Sequence, residues 1–432
     1  MKFYSTKNIA NRVNLKSAVL NSLPADNGLY MPENIDVLDE YFLDNIDEFT
    51  FKEIAYNVCH QYLREDLSDY QINDIVDTSI NFSAPVISLS DQLKSLELWH
   101  GPSLAFKDFG ARFMAALMSK LVEGENKILD ILVATSGDTG GAVAAGFLNV
   151  SNINVTILYP SGKVSRLQEK QLTTLGKNII ALEIKGTFDD CQTLVKQAFL
   201  DKDLNHNLNL SSANSINIAR LIPQTFYYFQ GYAQIEASER EDIVFCVPSG
   251  NFGNLTAGLF AKKMGLNFHK MIAATNLNNV VPRYFESGKY EPRPSISTIS
   301  NAMDVGNPSN FQRMMDLYDN DISSISNDIS TFYYDDKATM ESLITVLSKY
   351  NYIADPHGAV GFLACEEYMS AYPQSILINL ETAHPSKFLN VMNNVNIDVE
   401  IPNRLKALES KKKCAILMDS DFNRFKSYLL DR

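Results

Sequence analysis

Lys107 is the residue whose surroundings favour covalent chemistry. It follows the turn sequence Gly101-Pro102-Ser103 and stands between Phe106 and Phe109, where an amphipathic helix is predicted to begin. Apolar neighbours desolvate an amine, which lowers its pKa and frees it as a nucleophile. Taken alone, a lysine at the start of a helix is more often a solvated surface residue. The rest of the sequence must decide between these interpretations.

Glycine is scarce in this chain and concentrated at two places. The 432 residues include 20 glycines, where average usage would give roughly 30. Two groups each follow an apolar run and precede a helical pattern: Gly137, Gly140, Gly141 and Gly146, and then Gly250, Gly253 and Gly258. Backbone N–H groups at such a helix start bind anions. Either stretch alone could be a tight strand-to-helix turn, but together they predict a ligand, or a pair of ligands, with two anionic groups, each a carboxylate or a phosphate.

Several common nucleotide and hydrolase motifs are absent from the sequence. No two glycines lie two positions apart, so GxGxxG cannot occur, and neither GxxxxGK[ST] nor GxSxG is present. The glycine stretches are therefore not expected to hold NAD or ATP. A cofactor with one phosphate and an aldehyde needs a lysine, a backbone-rich phosphate loop and a second anion site for its substrate. The chain offers all of these.

The elements that must position these residues are predicted to form an α/β fold. Short, nearly continuous apolar runs are typical of buried parallel strands, and here they cover residues 131–135, 155–159, 179–184, 243–247 and 376–380. Helical stretches such as 164–175 and 188–200 alternate with them. We expect open, mostly parallel sheets with helices on both faces, and sites at the carboxyl ends of strands. Residues 1–80 are predicted to form a small, mainly helical N-terminal domain. Residues 81–432 are predicted to form a catalytic region of two α/β lobes.

Composition narrows the classes of function. Lys and Arg number 38 and Asp and Glu 51, a formal charge of −13 that disfavours nucleic acid as a partner. Five scattered cysteines without a CxxC pair suit a reducing compartment, and His100, His357 and His384 are too dispersed for a metal set. No secretory apolar segment and no run of 18 apolar residues occurs. We expect a cytoplasmic protein with no metal and no membrane contact.

Four ordered motifs identify the family that the chain resembles. They are His100-Gly101-Pro102-Ser103-Leu104-Ala105-Phe106-Lys107-Asp108, Thr135-Ser136-Gly137-Asp138-Thr139-Gly140, Pro248-Ser249-Gly250-Asn251-Phe252-Gly253-Asn254, and Thr382-Ala383-His384-Pro385-Ser386-Lys387-Phe388. With them the chain resembles, over essentially its whole length, the threonine synthases. These are pyridoxal-phosphate enzymes of fold type II, the family that includes tryptophan synthase β, cysteine synthase and the serine/threonine dehydratases. The first and last motifs are specific to threonine synthases, whereas the wider family shares the other two.

The resemblance implies a role for each matching residue. Lys107 matches the lysine that binds the cofactor aldehyde and then moves protons, and Thr382 matches the hydroxyl residue that faces the pyridine nitrogen. The cofactor phosphate is assigned to the loop of Gly250, Asn251, Phe252, Gly253 and Asn254. The substrate carboxylate is assigned to Ser136, Gly137 and Thr139.

Asp138 departs from the wider family, which usually has asparagine beside the cofactor phenol. An ionised aspartate can only accept a hydrogen bond, so either the phenol or Asp138 would have to carry a proton.

The implied reaction converts O-phospho-L-homoserine and water to L-threonine and phosphate, by γ-elimination and β-addition of water. The substrate phosphate needs its own polar pocket, for which the resemblance suggests Ser215, Asn217 and Arg220; the same segment could be only a capped helix start. Lys163 and the segment 300–308 also resemble family features, without an assigned role. We expect a monomer or a weak homodimer.

Two alternatives stay open at this point. A serine or threonine dehydratase would share the lysine and both loops but would have no γ-phosphate to bind. A non-catalytic binding or regulatory protein could keep the fold, although the intact Lys107 disfavours it.

Overall fold

The first 80 residues combine a small sheet with short helices. The structure, a computed structural model, describes residues 1–125 and 127–431. The strands of this unit are β1 (Lys2–Ser5), β2 (Asn8–Asn14) and β3 (Tyr30–Pro32), and its helices are α1 (Leu15–Asn21), α2 (Glu40–Asp44), α3 (Phe51–Leu63) and α4 (Asp69–Ser79). The strands pair antiparallel in the order β2-β1-β3. The sequence predicted the helices but not this sheet, because β1 is short and no side chain of β2 is fully buried.

The later strands form the frame that holds the candidate site. In chain order they are β4 (Val86–Ser88), β5 (Leu93–Glu97), β6 (Leu129–Ala134), β7 (Ile153–Pro160), β8 (Ile179–Lys185), β9 (Asn209–Ser212), β10 (Ile243–Pro248), β11 (Lys270–Thr275), β12 (Ile329–Tyr333), β13 (Ile376–Glu381) and β14 (Ile416–Asp419). A six-stranded sheet has the order β12-β11-β10-β13-β5-β4, and a five-stranded sheet has the order β14-β8-β7-β6-β9. All neighbours are parallel except β4 and β5.

Helices cover both faces of these sheets. They are α5 (Lys107–Leu121), α6 (Asp138–Phe147), α7 (Arg166–Thr173), α8 (Phe188–Leu200), α9 (Lys202–Asn207), α10 (Ile218–Leu221), α11 (Phe226–Ala233), α12 (Gly253–Lys263), α13 (Val280–Ser287), α14 (Phe311–Leu317), α15 (Ile322–Asp328), α16 (Asp336–Tyr350), α17 (Pro356–Ala371), α18 (Leu389–Asn394), α19 (Asn403–Glu409) and α20 (Phe422–Leu430). Strand β10 illustrates the burial. Phe245 and Val247 pack into one apolar cluster and Val244 and Cys246 into another. The predicted fold class is confirmed, and each predicted parallel strand is present.

The N-terminal unit shares its apolar core with the catalytic region. The aromatic ring of Phe109 on α5 lies 5.8 Å from that of Phe51 on α3 and 4.6 Å from that of Phe82, centroid to centroid. Phe3 and Tyr62 belong to the same buried cluster as Phe109. Burial of such rings contributes roughly 1.5–3 kcal/mol each. The unit is therefore part of the packing that supports the start of α5.

Candidate active site

Lys107 is the first residue of α5, and the end of β13 fixes its backbone. The amide of Phe106 donates to the carbonyl oxygen of Thr382 at 2.9 Å, and Ala105 forms an antiparallel bridge with Ala383. Leu104, just before, has a left-handed backbone with φ of 60°. These contacts place the start of α5 at the carboxyl end of β13 in the six-stranded sheet. The helix start that the sequence predicted is confirmed.

The amine of Lys107 lies among charged groups as well as apolar ones. Burial lowers the pKa of Lys107 to about 8, with Lys387 and Arg220 acting in the same direction and Asp138 opposing them. A lysine with this pKa is substantially neutral at slightly alkaline pH and is able to act as a nucleophile or a base. The desolvation that the flanking residues suggested is therefore present.

The second glycine loop, residues 248–254, presents free backbone amides. Helix α12 begins at Gly253 without a side-chain cap, and Phe252 before it has a left-handed backbone with φ of 59°. Among the described residues, no acceptor is recorded for the amide N–H groups of residues 251–255. Those amides, together with the positive end of an 11-residue helix, form a site for a phosphate.

Neighbouring segments clamp this loop. The carbonyl oxygen of Asn251 accepts from the amide of Asn310 at 3.3 Å, and its side-chain oxygen accepts from the amide of Ser309 at 2.6 Å. A Cβ atom on Gly250 would lie 2.7 Å from Cα of Met303 and 2.8 Å from the carbonyl oxygen of Ala302. The loop therefore needs glycine at 250. This packing also gives a role to the segment 300–308, which had none in the sequence analysis. Residues of that segment form the wall behind the second glycine loop.

The Asn254 side chain connects the second glycine loop to helix α11. Its side-chain oxygen accepts from the hydroxyl groups of Tyr227 and Tyr228 at 2.6 and 2.8 Å. Its nitrogen Nδ2 is buried without a partner in the described part of the chain. This side chain therefore has a donor available to a ligand.

The first glycine loop, residues 135–141, has a similar construction at the end of β6. Thr135 accepts at Oγ1 from the amides of Gly137 and Gly140, at 3.0 and 2.8 Å. Gly137 has φ of 139°, and a Cβ there would meet the side chain of Gln168 at 2.6 Å. In the part of the chain that is described, no acceptor is recorded for the amides of Ser136, Asp138 and Thr139. This loop also offers backbone donors to an anion.

Asp138 forms a buried ion pair that the sequence analysis missed. Its Oδ1 lies 2.6 Å from Nζ of Lys387 and accepts from Nε2 of Gln168 at 2.8 Å. Burial alone would raise the pKa of Asp138, but the ammonium groups of Lys387 and Lys107 outweigh burial and hold it well below its usual range. Lys387 lies within a motif quoted for the family resemblance, yet nothing in the sequence pairs it with Asp138.

The segment predicted for the substrate phosphate divides into two kinds of residue. Arg220 is 4% exposed, donates from Nη1 to the carbonyl oxygen of Ala213, and has no partner for Nε among the described residues. Burial lowers the pKa of Arg220 to about 10. Ser215 accepts at Oγ from the side-chain amide of Asn251, which places it beside the second glycine loop.

Asn217, by contrast, has its polar atoms engaged within the protein. Its Nδ2 donates to the carbonyl oxygens of Val19 and Ser212, at 2.8 and 3.1 Å, and to Oγ of Ser22 at 3.0 Å, while its Oδ1 accepts from the amide of Ala219 at 3.0 Å. The residue is fully buried. This arrangement holds the segment in place and offers little to a ligand.

Arg313 is a second residue that sequence reasoning missed. Its fully buried guanidinium donates to the carbonyl oxygens of Tyr30, Ser215 and Ile216 at 3.1, 3.3 and 2.7 Å, and to Oδ1 of Asn310 at 2.8 Å. It thus joins β3 of the N-terminal unit to the segment that carries Ser215. An arginine within an ordinary helical pattern gave no sign of this role.

Thr382 lies at the end of β13, beside a group of buried polar residues. The Asp355 carboxylate accepts from the amide of Ala383 at 3.3 Å and from Nδ1 of His357. Because Nε2 of His357 accepts from the amide of Ala302 at 3.1 Å, the ring proton lies on Nδ1. Burial, with a contribution from Asp355, raises the pKa of Glu381 well above its usual range. This network connects the strand end at Thr382 with the wall behind the second glycine loop.

The histidines do not form a metal centre within residues 1–125 and 127–431. No group of three or more His, Cys, Asp or Glu side chains there is arranged to hold an ion. His384 caps a short turn by accepting from the amide of Ser386 at 3.1 Å, and burial lowers its pKa to about 4. Helices long and apolar enough to cross a membrane are likewise absent from these residues.

Comparison with known proteins gives the class and then the family. A family described as pyridoxal-phosphate dependent enzyme matches residues 95–380, so the chain is a pyridoxal-phosphate-dependent enzyme. Families described as threonine synthase N terminus and threonine synthase, C-terminal, match residues 2–80 and 358–429. The chain belongs to the threonine synthase family.

Individual relatives agree along the whole chain. Threonine synthase of Haemophilus influenzae is 41% identical over 431 residues, covering 100% of both chains, and that of Escherichia coli K12 is 41% identical over 391 residues, covering 90% of this chain and 89% of the relative. The crystal structure of the Escherichia coli threonine synthase superposes with a TM-score of 0.93 at 37% identity, covering 100% of both chains. A pyridoxal-phosphate-bound threonine synthase from Brucella melitensis gives 0.94 at 32% identity, covering 100% of this chain and 99% of that one.

Proposed function

We propose that the site around Lys107 converts O-phospho-L-homoserine and water to L-threonine and phosphate. The observation that carries this proposal is the position of Lys107 in a charge cluster with Asp138. Burial lowers the pKa of Lys107 to about 8, and Asp138 is the first residue of α6, which begins at the first glycine loop. A second such loop lies at the end of β10. One loop suits the phosphate of the cofactor, and the other suits the carboxylate of an amino acid.

The residues present fit pyridoxal phosphate. We assign its phosphate to the second glycine loop, Gly250 to Asn254, where free amides and the donor of Asn254 are available. Its aldehyde is assigned to Lys107, its ring nitrogen to the hydroxyl group of Thr382, and its phenolic oxygen to the neighbourhood of Asp138. The cofactor supplies an electron sink for charge that develops on the substrate carbon atoms.

The chain's own groups bind the substrate and move its protons. The loop of Ser136, Gly137 and Thr139 is assigned to the substrate carboxylate, with the amides of Ser136 and Thr139 as the donors that the described residues leave free, and this keeps the substrate Cα close to Lys107. Neutral Lys107 then removes the proton from Cα. A further proton leaves Cβ as phosphate departs from Cγ, and Cγ is then protonated. Water adds its hydroxyl group at Cβ, its remaining proton goes to the departed phosphate, and a proton returns to Cα. Products are threonine and inorganic phosphate.

The substrate phosphate is assigned to Ser215 and Arg220. Supporting this are the unpartnered Nε of Arg220 and the position of Ser215 beside Asn251. A guanidinium provides paired donors for phosphate oxygens. Asn217 also belongs to this segment, and we propose that it positions the segment rather than contacting the ligand.

The test is phosphate release from O-phospho-L-homoserine by the purified holoenzyme, with L-threonine measured in the same samples. Wild type should form both products in equal amounts, and Lys107→Ala should form neither. Lys196→Met, an exposed lysine on α8, is the matched control and should behave as wild type. A wild-type protein without a visible cofactor absorbance band, or with threonine formed in Lys107→Ala, would contradict the proposal.

Arg220→Ala separates this reaction from that of a dehydratase. Loss of phosphohomoserine turnover with retained cofactor binding is expected, since the dehydratase reaction needs no phosphate pocket. Unchanged turnover would remove Arg220 from the site. We further propose that the protein acts in the cytoplasm as a monomer or weak homodimer, with no nucleic acid as partner.

A further inference from the structure

Lys387 is a buried cation to which the proposed reaction gives no role. It follows β13 in the six-stranded sheet, whereas its partner Asp138 follows β6 in the five-stranded sheet. The side chain of Lys387 is 0% exposed, and Nζ also donates to the carbonyl oxygen of Ser103 at 3.0 Å. The contact therefore joins the carboxyl ends of both sheets beside Lys107.

The position of Asp138 creates a problem for carboxylate binding. It is the first residue of α6, whose N-terminal amides are assigned to the substrate carboxylate. A helix N-terminus attracts anions, but an ionised aspartate at that place already occupies the favourable potential and repels a second carboxylate. A neutral asparagine would not have this effect. Something must compensate the charge of Asp138 for the first glycine loop to receive a substrate.

We propose that Lys387 is a positioning residue that cancels the charge of Asp138, so that the first glycine loop accepts a carboxylate and Lys107 is not held in its charged form by Asp138. This inference rests on the proposed function. With Gln168 as the second donor, Asp138 stays ionised as an acceptor at a fixed place. An ionised Asp138 can only accept a hydrogen bond, so a hydrogen bond between it and the cofactor phenol would require the proton to be on the phenol.

The charged groups around the site give this proposal a specific signature. Lys107 faces Asp138 on α6, Lys387 after β13 and Arg220 on α10. Asp108, on the same helix as Lys107, is also influenced by Lys387 and by Arg112. Removing Lys387 alone leaves Asp138 with Lys107 as its close counter-ion, which stabilises the charged form of Lys107. Removing the charges of both Asp138 and Lys387 takes away that attraction.

The first measurement is trace acetylation of the full chain freed of cofactor. Mass spectrometry gives the extent of Lys107 acetylation at each pH, and the midpoint of this pH dependence is compared between variants. Lys387→Met should move the midpoint for Lys107 to a higher pH than in wild type, because Asp138 then acts on Lys107 without the opposing charge of Lys387. The double variant Asp138→Asn/Lys387→Met, which replaces the ion pair with neutral side chains of similar size, should return the midpoint toward wild type. Lys196→Met is the control and should leave it unchanged. A merely structural role would not produce a shift that the second substitution reverses.

The second measurement compares L-threonine with L-threoninamide as ligands of the holoenzyme, by the change in visible absorbance. These ligands differ in the carboxylate alone. Lys387→Met should weaken L-threonine binding by about tenfold or more and change L-threoninamide binding by less than about twofold. The double variant should restore the preference for the carboxylate.

The outcomes are distinguishable from failure of the proposed function. If wild type releases no phosphate from O-phospho-L-homoserine, the reaction is wrong. If wild type is active but Lys387→Met keeps both the Lys107 midpoint and the carboxylate preference, the role of Lys387 is wrong. If Lys387→Met does not fold, Asp138→Asn alone must lower the Lys107 midpoint, because it removes the group that raises it; an unchanged or higher midpoint would overturn the proposal.

Discussion

The carbonyl oxygen of Thr382 accepts a hydrogen bond from the amide of Phe106 at 2.9 Å, so the residue before Lys107 is attached to the end of β13. Both residues assigned to opposite parts of the cofactor, Lys107 and Thr382, are thereby held by one backbone contact. The contact therefore fixes the position of the main chain at Lys107 relative to the main chain at Thr382. Several further contacts in the site have consequences that experiments can measure.

Gly250→Ala should weaken cofactor binding. The added Cβ would meet Cα of Met303 at 2.7 Å, and backbone at that distance has to move. Overpacking of this kind costs about 1–3 kcal/mol, or roughly a tenfold loss in affinity for each 1.4 kcal/mol. Cofactor titration by absorbance measures the loss. Gly141→Ala is the matched control, since its Cβ would lie at an ordinary 3.4 Å from Gln171. Equal affinities in the two variants would contradict the close packing.

Arg313→Met should destabilise the whole chain. The substitution leaves the carbonyl oxygens of Tyr30, Ser215 and Ile216 without their buried donor. Leaving buried acceptors unpaired in this way is expected to cost about 1–3 kcal/mol, measured as the free energy of unfolding in urea. Arg283→Met, an exposed arginine on α13, should change that free energy by less than about 0.5 kcal/mol. A small effect at Arg313 would mean that water or another donor replaces it.

Replacing His357 should loosen the wall behind the second glycine loop. His357→Leu removes the acceptor for the amide of Ala302 and the donor to Asp355. We expect about 1–3 kcal/mol of lost stability and faster hydrogen exchange at residues 300–304. His357→Gln retains both hydrogen-bonding functions and should recover part of the loss. Identical exchange in wild type and His357→Leu would show that the contact does not hold this wall.

Glu381 should make stability depend on pH. Burial raises its pKa in the folded protein, so the native state binds this proton more tightly than the unfolded state. Below the ordinary glutamate pKa, the protonated side chain contributes its full stabilisation. As pH rises from there toward the pKa of Glu381 in the folded protein, the free energy of unfolding falls by up to about 1.4 kcal/mol per pH unit.

Urea unfolding at several pH values tests this assignment. Glu381→Gln keeps the shape and abolishes the titration, so its stability relative to wild type should increase with pH. Glu341→Gln, exposed on α16, should run parallel to wild type. The assignment of a protonated Glu381 would be wrong if Glu381→Gln also ran parallel.

The strands that the sequence revealed are those buried on both faces. The segments 131–134 and 243–247 are apolar without interruption, because each sheet has a helix layer on either side. Strand β5, with sequence Leu93–Glu97, contains a lysine, a serine and a glutamate and therefore escaped notice. Strand β2 has its side chains mostly exposed and carried no apolar pattern.

The site residues divide in a similar way. The glycine loops and Lys107 were visible because a local pattern marks them. Lys387 and Arg313 were not, since each acts through a partner distant in the chain, Asp138 and Tyr30 respectively. The resemblance assigned Asn217 to the substrate, and only its hydrogen-bond partners indicate that it positions the segment instead. Local patterns predict backbone sites, whereas long-range pairs require coordinates.

The contact of Arg313 with Tyr30 and that of Lys387 with Asp138 both join segments that lie far apart in the chain. One draws on the start of the chain, and the other on a residue that leaves the ribosome late. A nascent chain that ends before residue 387 contains Lys107 and both glycine loops, but it lacks the ammonium group that pairs with Asp138. The charge cluster around Lys107 is therefore complete only when nearly the whole polypeptide has been made.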